Sequence, residues 1–562
     1  MEQRILTEIE RWKQCATRDE NLLNELAAMD EEALTEAFYT DLSFGTAGLR
    51  GVLGVGTNRM NVYTVGAASQ GLAAYVKNHY PEGKRVIALS RDSRINSELF
   101  TRTSAAIFAA NGIKTYVYSE LMPTPCLSFA VRYLGASAGV MITASHNPAK
   151  YNGYKVYGED GAQMTEEGAN EVLSEIRKLD LFKDVLWGDY EAALKDGSIE
   201  IMGEEVYTAF TEEVKKQSVL PKDFPVRKDA EMIYTPLHGA GLKPVLRVLK
   251  EWGYTNITVV KEQEQPDGNF PTCPYPNPEI RETMALGMDL ARKNEADLLI
   301  ATDPDSDRVS IAVRTPEGEY EILSGNELGC LLLNYVASMR KAGGTMPEKP
   351  VAVKSVVSTD LATKIAEKYG VEMRNVLTGF KYIGDQIALL EKTGEEKRYI
   401  FGFEESCGYL SGTYCRDKDA VDAAFLVAEM FSYYAAKGLN LYGIMQDIYR
   451  EFGFYQSVVH SFAYEGIAGQ ARMKEIMAEF RKGLAEIGTY RVEKLVDYNE
   501  GVDGLPAANV LKFYLSDEAS VVVRPSGTEP KIKVYVTVKG VDKADAAEKE
   551  AALFAAVSPL LS

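Results

Sequence analysis

The sequence predicts an α/β protein of four domains: three related α/β units with mixed sheets, then a smaller α+β domain. Three observations support this fold class. The chain has 562 residues, too many for a single hydrophobic core. One order of strands, loops and helices recurs three times, and the last hundred residues change to alternating strands. The predicted domains are residues 1–205, 206–322, 323–450 and 451–562.

Each of the three related units runs strand, polar loop, helix, glycine and second strand, and a further strand then leads into a second polar loop. The units begin with the apolar strands RVIALS (85–90), AEMIYT (230–235) and PVAVKSVV (350–357). Glycine follows each helix, at Gly112, Gly253 and Gly370, as a left-handed C-cap requires. Short apolar strands alternating with helices predict largely parallel sheets whose ligands bind beyond the carboxyl ends of the strands.

The tail has a different period. In KIKVYVTVK (531–539), Ile532, Val534, Val536 and Val538 share one face and the other face is mostly polar. This alternation predicts a half-buried antiparallel strand. It follows the strand VVVR and precedes an Ala-rich helix, so the tail is predicted to be an α+β domain.

The overall charge limits the classes of partner. The 81 acidic residues outnumber the 62 Lys and Arg residues, which gives a net charge of −19. Nucleic acid is therefore excluded as a partner, because its phosphates need a basic surface. Anionic metabolites remain possible ligands if basic side chains are grouped in a cleft, where they offset the overall negative charge.

The N-terminus and the cysteines indicate a cytoplasmic protein. Ile5, Ile9 and Trp12 lie on one face of a charged N-terminal segment, which predicts an amphipathic surface helix and not a signal peptide. The sequence contains no run of about 18 uncharged apolar residues, so no membrane span is predicted. The six scattered cysteines have no metal-binding spacing, and we interpret them as free thiols in a reducing cytosol.

ATDPDSDR (301–308) carries the clearest chemical signal. Asp303, Asp305 and Asp307 alternate directly after an apolar strand, and carboxylates this close repel one another unless a cation neutralises them. Oxygen ligands favour Mg²⁺ or Ca²⁺. An EF-hand is excluded because Arg308 and Arg314 stand where its glycine and its last glutamate belong. The remaining alternative is a solvated acidic turn.

VMITASHNPAKYNGYK (140–155) breaks from an apolar strand into Ser-His-Asn and ends at a lysine. It could be a strand-ending turn or a reactive centre. Ser145 lacks the G-x-S-x-G elbow of a hydrolase, since Ala144 and His146 flank it. A serine beside a metal site is better suited to carrying phosphate. Lys155 is then the candidate general base, with His146 as the alternative.

RPSGTEPK (524–531) joins two strands of the tail and has the composition of a phosphate-binding loop. An arginine can bind phosphate with two donors, hydroxyls can donate to it, and glycine lets backbone N–H groups approach. The residues are Arg524, Ser526, Gly527, Thr528 and Lys531. Taken alone, the loop could equally be a Pro-Gly hairpin turn.

Five further loops combine charged and small residues. FEESCG (403–408) is acidic, TGFKYIG (378–384) and RDKDA (416–420) carry Lys381 and Lys418, and the pairing suits recognition of a phosphorylated sugar. FGTAGLRG (44–51) and RDSR (91–94) add arginines to small-residue loops; taken singly, each arginine is interpreted as an ordinary surface ion pair. These are Arg50, Arg91 and Arg94.

Together these motifs resemble the α-D-phosphohexomutase superfamily, the phosphoglucomutase and phosphomannomutase enzymes. The resemblance rests on TASHNP with Lys155, the D-x-D-x-D-R loop, the FEES loop and RPSGTEPK, in that order along nearly the whole chain. With FGTAGLRG and the N-terminal extension, the chain is most similar to the phosphoglucomutase-2-type subgroup. The resemblance implies a heart-shaped molecule of four domains, the last similar to the TATA-box-binding protein.

The resemblance also implies the roles of the site residues. Ser145 carries the phosphate, and Mg²⁺ is held by Asp303, Asp305, Asp307 and a phosphate oxygen on Ser145. Lys155 and Arg308 lie at the transfer site, flanked by His146 and Arg50. The sugar is bound by Thr378, Gly379, Lys381, Glu404, Ser406 and Lys418. The distal phosphate is bound by Arg524, Ser526, Gly527, Thr528 and Lys531.

The implied activity is the interconversion of glucose 1-phosphate and glucose 6-phosphate through glucose 1,6-bisphosphate, which is both intermediate and activator. Phosphopentomutase, phosphomannomutase and glucose-1,6-bisphosphate synthase activities are the alternatives within the family. An inactive sugar-phosphate-binding protein is the alternative from another class. The expected partners are small sugar phosphates, with no nucleic acid and no membrane, and the expected assembly is a monomer or a homodimer.

Overall fold

Four β-sheets follow one another along the chain. The computed structural model describes residues 2–45, 48–464, 466–502, 504–526 and 530–561, with only the backbone for residues 466–468. Within these ranges the first three sheets are mixed and the fourth is antiparallel, as the sequence predicts. The predicted domain boundaries and the heart shape stay predictions.

The first sheet has seven strands and is preceded by three helices. Its region contains, in chain order, α1 (Gln3–Cys15), α2 (Glu20–Ala28), α3 (Glu31–Phe38), β1 (Phe44–Gly45), β2 (Gly48–Val52), α4 (Val62–His79), β3 (Val86–Arg91), α5 (Ser97–Ala110), β4 (Lys114–Tyr118), α6 (Thr124–Leu134), β5 (Ala138–Ile142), β6 (Tyr151–Gly158), α7 (Glu166–Ile176), α8 (Tyr190–Asp196) and β7 (Ile199–Met202). The predicted amphipathic helix is confirmed as α1, which buries Ile5, Ile9 and Trp12.

The second and third sheets have five and four strands. The second region contains α9 (Glu204–Lys215), β8 (Met232–Thr235), α10 (Leu242–Glu251), β9 (Ile257–Val259), α11 (Lys261–Glu264), α12 (Arg281–Asn294), β10 (Leu298–Thr302), β11 (Val309–Arg314) and β12 (Tyr320–Ile322). The third contains α13 (Gly325–Ala342), β13 (Val351–Ser355), α14 (Leu361–Tyr369), β14 (Glu372–Val376), α15 (Lys381–Lys392), β15 (Tyr399–Glu404), β16 (Gly408–Leu410), α16 (Ala420–Ala435) and α17 (Leu441–Phe452).

The fourth sheet has six strands. Its region contains β17 (Phe454–Ala463), α18 (Gly466–Arg481), β18 (Glu486–Ile487), β19 (Tyr490–Asp497), β20 (Leu511–Leu515), β21 (Ser520–Pro525), β22 (Lys531–Gly540) and α19 (Lys543–Val557). The predicted tail strand is confirmed as β22, with four apolar side chains fully buried on one face. Its other face is also covered, because Tyr535 packs against the loop after β13. The prediction of a half-buried strand is therefore wrong at this position.

The threefold repeat is visible in the strand order. Each of the first three sheets contains three parallel strands in the same arrangement: β5-β3-β4, β10-β8-β9 and β15-β13-β14. In each sheet the third of these strands in chain order also pairs with an antiparallel strand that follows it, namely β6, β11 or β16. The three glycines predicted to follow the helices all have positive φ, which confirms their left-handed conformation.

The hydrophobic core is shared between regions. One cluster joins side chains from α6, from the second and third sheets and from α16, in which every residue from Ala420 to Tyr433 is buried. All six cysteines are free, and only Cys15 is exposed. Within the described ranges, every helix is too short or too polar to cross a membrane.

Candidate active site

The site is built from loops at equivalent places in the three repeated units. Residues 143–150, 303–308 and 405–407 each connect a parallel strand to the antiparallel strand that pairs with it. The parallel strand before each loop is buried along its whole length, so the start of each loop has a fixed position at the carboxyl end of its sheet. This is the edge where ligands of such sheets bind.

Ser145 lies directly beside the aspartate loop. Its Oγ donates to Asp303 Oδ2 at 2.8 Å and lies 3.1 Å from His146 Nδ1. The residue is buried and has a φ of 51°, in the left-handed region that a residue with a side chain seldom adopts. The hydroxyl of Thr143 supports this turn by accepting from the backbone N–H of Ser145 at 2.8 Å.

Asp303, Asp305 and Asp307 form the cluster that the sequence predicts. All three are buried, and one ligand oxygen from each lies within 4.8 Å of the others. Asp303 Oδ1 accepts from the N–H groups of Asp307 and Arg308, so this carboxylate also shapes its own loop. Thr124, at the start of α6, donates through its hydroxyl to Asp305 Oδ2 at 2.9 Å.

The three carboxylates fit a metal ion. Asp305 Oδ1 and Asp307 Oδ1 are buried and have no hydrogen-bond partner among the described residues. Burial, with the neighbouring charges of Asp305 and Asp307, raises the pKa of Asp303 well above its usual range. A bound cation would satisfy the two oxygens and offset this repulsion, and oxygen ligands suit a hard divalent ion.

Two lysines contact the aspartate loop. Lys155 Nζ lies 2.8 Å from Asp305 Oδ2 and 3.3 Å from Asp307 Oδ2. Lys418 Nζ lies 2.9 Å from Asp307 Oδ2, so this residue, predicted to bind the sugar, reaches the aspartate cluster in the structure. Burial disfavours both ammonium groups, but the adjacent carboxylates outweigh it and raise the pKa of each lysine.

His146, Arg308 and Arg50 surround the serine and the aspartates. Burial, together with the charges of Arg308 and Arg50, lowers the pKa of His146 well below its usual value, so the imidazole is neutral near pH 7. Burial opposes the charge of Arg308, but Asp307, Glu279 and Asp303 outweigh it and raise its pKa.

The predicted sugar-binding residues come from three segments of the third region: 378–381, 404–406 and the loop between β16 and α16 that carries Lys418. Glu404 Oε1 accepts from the backbone N–H of Gly379 at 2.6 Å, and Gly379 has a φ of 117° that favours glycine. Lys381, at the start of α15, lies 3.7 Å from Glu166 and over the ring of Tyr382. Ser406 is half-buried in the loop after β15.

The predicted phosphate-binding loop contacts the predicted sugar-binding loop. Arg524 donates through Nη1 to the hydroxyl of Thr378, which connects the fourth region to the third. The backbone N–H of Ser526 donates to the carbonyl of Lys531 at 2.7 Å, as the loop passes from β21 to β22. The predicted residues Gly527 and Thr528 lie outside the described residues.

Sequence reasoning missed two contributors. Arg94 was interpreted as an ordinary surface pair, and that interpretation is wrong, because the side chain is buried and donates to the serine loop. Its place in RDSR, after a buried strand, was the available signal. Thr124, which contacts Asp305, carried no signal, because its helix start resembles any other.

Comparison with known proteins agrees with this architecture. Four family models of phosphoglucomutase/phosphomannomutase match the chain in order. The models for alpha/beta/alpha domains I, II and III match residues 41–182, 208–318 and 324–452, and the model for the C-terminal domain matches residues 469–556.

Similar proteins cover nearly the whole length. The phosphoglucomutases of Staphylococcus saprophyticus and of Staphylococcus aureus strain MRSA252 are both 36% identical to this chain, over 91% and 92% of it and 92% of their own length.

Solved structures of low sequence identity share the fold. Parafusin, a phosphoglucomutase from Paramecium, has a TM-score of 0.69 at 18% identity, covering 93% of this chain and 95% of its own. A phosphoglucomutase/phosphomannomutase family protein from Burkholderia thailandensis has a TM-score of 0.69 at 17% identity, covering 92% and 97%. With four matching family models in order and these relatives, the chain belongs to the phosphoglucomutase/phosphomannomutase family of phosphate-transferring isomerases.

Proposed function

We propose that this protein is a phosphoglucomutase that interconverts glucose 1-phosphate and glucose 6-phosphate, with Ser145 as the phosphate carrier. The observation that carries the proposal is the 2.8 Å hydrogen bond from Ser145 Oγ to Asp303, at the edge of three buried carboxylates. Among the described residues, these three aspartates form the only group of three side chains placed to hold a metal ion, and the Ser145 hydroxyl lies next to them. The Staphylococcus relatives, named phosphoglucomutases, support the choice of substrate.

In the proposed reaction, phospho-Ser145 transfers its phosphoryl group to the free hydroxyl of the bound sugar phosphate. The bond between phosphorus and Ser145 Oγ breaks, and a new bond to the sugar oxygen gives glucose 1,6-bisphosphate. The sugar hydroxyl gives its proton to a general base, and Ser145 Oγ takes up a proton as it leaves, so the serine hydroxyl is restored. After the bisphosphate turns over in the cleft, its other phosphate returns to Ser145, which regenerates the phosphoenzyme.

Asp303, Asp305 and Asp307 would hold Mg²⁺, together with a phosphate oxygen on Ser145. When bound, this ion supplies positive charge that stabilises the transferring phosphoryl group. Arg308 adds a fixed charge at the same place, and Arg50 lies on the neighbouring strand β2. Preorganised charge of this kind is most of what phosphoryl transfer requires from a protein.

Lys155 is the proposed general base and His146 is the alternative. The two differ in the arrangement described: the Lys155 ammonium is paired with Asp305 and Asp307, whereas the His146 imidazole is neutral beside Ser145 Oγ. Lys155 can act as a base only after its ammonium has lost a proton, which its pairing with the two carboxylates disfavours. His146 needs no such change.

The remaining residues would bind the substrate. Glu404 and Ser406 would accept and donate hydrogen bonds to sugar hydroxyls, with Thr378, Gly379, Lys381 and Lys418 around them. Arg524, Ser526, Gly527, Thr528 and Lys531 would hold the phosphate that is not being transferred. Arg524, which donates to Thr378, would exchange that hydroxyl for a phosphate oxygen when substrate binds.

Replacing Ser145 with alanine tests the proposal. We expect Ser145→Ala to lose mutase turnover and to keep sugar-phosphate binding, because it removes only the atom that carries phosphate. Intact mass should show wild-type chains heavier by about 80 Da after incubation with glucose 1,6-bisphosphate, and no such chains for the variant. Ser338→Ala in α13, whose hydroxyl bonds its own helix, is the control.

Turnover by Ser145→Ala at the wild-type rate would contradict the proposal. Turnover of glucose 1-phosphate, mannose 1-phosphate and ribose 1-phosphate by the wild type distinguishes phosphoglucomutase from phosphomannomutase and phosphopentomutase. Accumulation of glucose 1,6-bisphosphate would indicate a synthase. A cytoplasmic location and a monomeric or homodimeric assembly stay predictions from the sequence.

A further inference from the structure

Arg94 binds the serine loop from beneath. The residue lies between β3 and α5 and is 3% exposed. Its Nη1 donates to the carbonyls of Pro148 and Tyr151 at 3.1 and 3.0 Å, and its Nη2 donates to those of Ser145 and Asn147. One guanidinium therefore binds three carbonyls of the loop that carries the proposed phosphate and the first carbonyl of β6.

A second buried residue holds Arg94 in this position. Asp92 Oδ2 lies 3.4 Å from Arg94 Nε and also accepts from the hydroxyl of Thr143 at 2.6 Å. The same hydroxyl accepts from the N–H of Ser145. Asp92, Thr143 and Arg94 thus fix both the N–H and the C=O of Ser145.

The second region closes over Arg94. The ring of Phe270 lies 5.1 Å from the guanidinium carbon, in a cation–π contact. The backbone at Gly268 lies against the segment that carries Arg94. A Cβ added at Gly268 would lie 2.5 Å from the backbone N of Ile95. The Arg94 guanidinium is therefore enclosed between the carbonyls that it binds and the ring of Phe270.

The conformation of Ser145 explains why such a group is needed. A φ of 51° is unfavourable for serine and persists only when its surroundings determine it. The carbonyl dipoles that converge on Arg94 would repel one another without a cation between them. A planar guanidinium with five donors can satisfy four carbonyls at once, whereas a lysine ammonium has three donors.

We propose that Arg94 is a positioning residue of the phosphate transfer: it holds Ser145 in the left-handed conformation that directs Oγ toward Asp303. Arg94 contacts neither substrate nor metal in this role and acts only through the serine loop. The inference rests on the proposed function, because the conformation of Ser145 affects the reaction only if Ser145 carries the phosphate.

Steady-state kinetics of Arg94→Lys and Arg94→Ala test the proposal. We expect kcat to fall about 100-fold in both variants, the cost of a displacement of about 1 Å at a reacting atom. KM for glucose 1-phosphate should stay within about threefold, because substrate-binding loops are untouched. Phosphorylation of Ser145 by glucose 1,6-bisphosphate, followed by intact mass, should slow by the same factor as kcat.

Chemical rescue separates positioning from general stability. Guanidinium ion at a concentration well below its denaturing range should restore part of kcat in Arg94→Ala, by occupying the vacated space, and should not restore Arg94→Lys. If Arg94→Ala does not fold, Arg94→Lys, which keeps the charge and most of the volume, carries the test. Arg91→Lys, at the end of β3 three residues before Arg94 and paired with Glu98 at 3.6 Å, is the control and should match wild type.

Two outcomes would overturn the proposal, and they are distinguishable. If the wild type is active and Arg94→Lys is equally active, the positioning role of Arg94 is contradicted and the proposed function is not. A kcat loss that follows the loss of thermal midpoint, without rescue, would show a purely structural role. A wild type without mutase activity and without phosphoserine would contradict the proposed function itself.

Discussion

Glu404 is a buried carboxylate whose charge is costly in the folded protein. Burial, together with the charge of Glu405, raises its pKa from 4.5 to about 7. The pKa of Glu404 is higher in the folded protein than in the unfolded chain. Its contribution to the free energy of unfolding is therefore fully present below about pH 4.5 and is lost as the pH rises through 7. The shift corresponds to roughly 3 kcal/mol of folding free energy at pH 8.

Glu404→Gln should therefore be more stable than wild type at alkaline pH. Glutamine keeps the oxygen that accepts from Gly379 and removes the charge, so we expect a gain of about 1 to 3 kcal/mol at pH 8 and under about 1 kcal/mol at pH 5. Thermal midpoints at the two pH values measure the difference. The exposed Glu348→Gln is the control. An equal gain at both pH values would contradict the assignment.

Local sequence patterns predicted the elements better than the contacts between them. The apolar runs and glycines that predict β5, β10 and β15 act within a few residues, so their effect is readable from the sequence. The contact of Lys418 with Asp307 joins residues that are far apart in the chain, and its existence depends on how two sheets are oriented. The sequence identified Lys418 as a site residue and could not specify its partner.

At the scale of elements, the loop between β8 and α10 supports the aspartate loop. The backbone N–H of Ala240 donates to the carbonyl of Pro304 at 2.8 Å. His238 is buried in the same loop, with ring nitrogens 3.0 Å from the carbonyl of Gln265 and 2.9 Å from the hydroxyl of Thr272. Both ring nitrogens of His238 therefore have partners that hold this loop in place, and the aspartate loop packs against it.

Gly239→Ala should displace the aspartate cluster. A Cβ at this position would lie 2.4 Å from Cα of Pro304, a backbone atom that cannot move without moving the loop. We expect a destabilisation of about 1 to 3 kcal/mol and a roughly tenfold rise in the Mg²⁺ concentration that gives half-maximal activity. Gly203→Ala, where a Cβ meets nothing within 4 Å, is the control. An unchanged Mg²⁺ requirement would show that the loop does not set the cluster.

At the scale of the whole molecule, the fourth region is fixed to the third by buried charges. Lys512, from β20, lies 3.2 Å from Asp360 Oδ2 and donates to the carbonyl of Val356 at 3.1 Å. Lys354, from β13, lies 2.9 Å from the other oxygen of Asp360. Both lysines are fully buried, so one carboxylate balances two cations at this boundary.

Asp360→Asn should loosen the fourth region more than Lys512→Met does. The first change leaves two buried ammonium groups without a counter-charge, which costs about 3 kcal/mol or more, whereas the second leaves the pair of Lys354 and Asp360 intact. Hydrogen exchange of β20 and of residues 356–358 measures the loosening. Faster exchange in Lys512→Met than in Asp360→Asn would contradict this account.

The distribution of the site over all four regions has a consequence in time. About 380 residues separate Ser145 from Arg524, and ribosomes add about 5 to 20 residues per second. The serine loop is therefore synthesised roughly 20 to 80 seconds before the phosphate loop that completes the cleft. During that interval a nascent chain can fold its first sheet and present Ser145, but it cannot yet hold both ends of a bisphosphate. On the proposed function, catalytic competence thus begins only when the fourth region has been made.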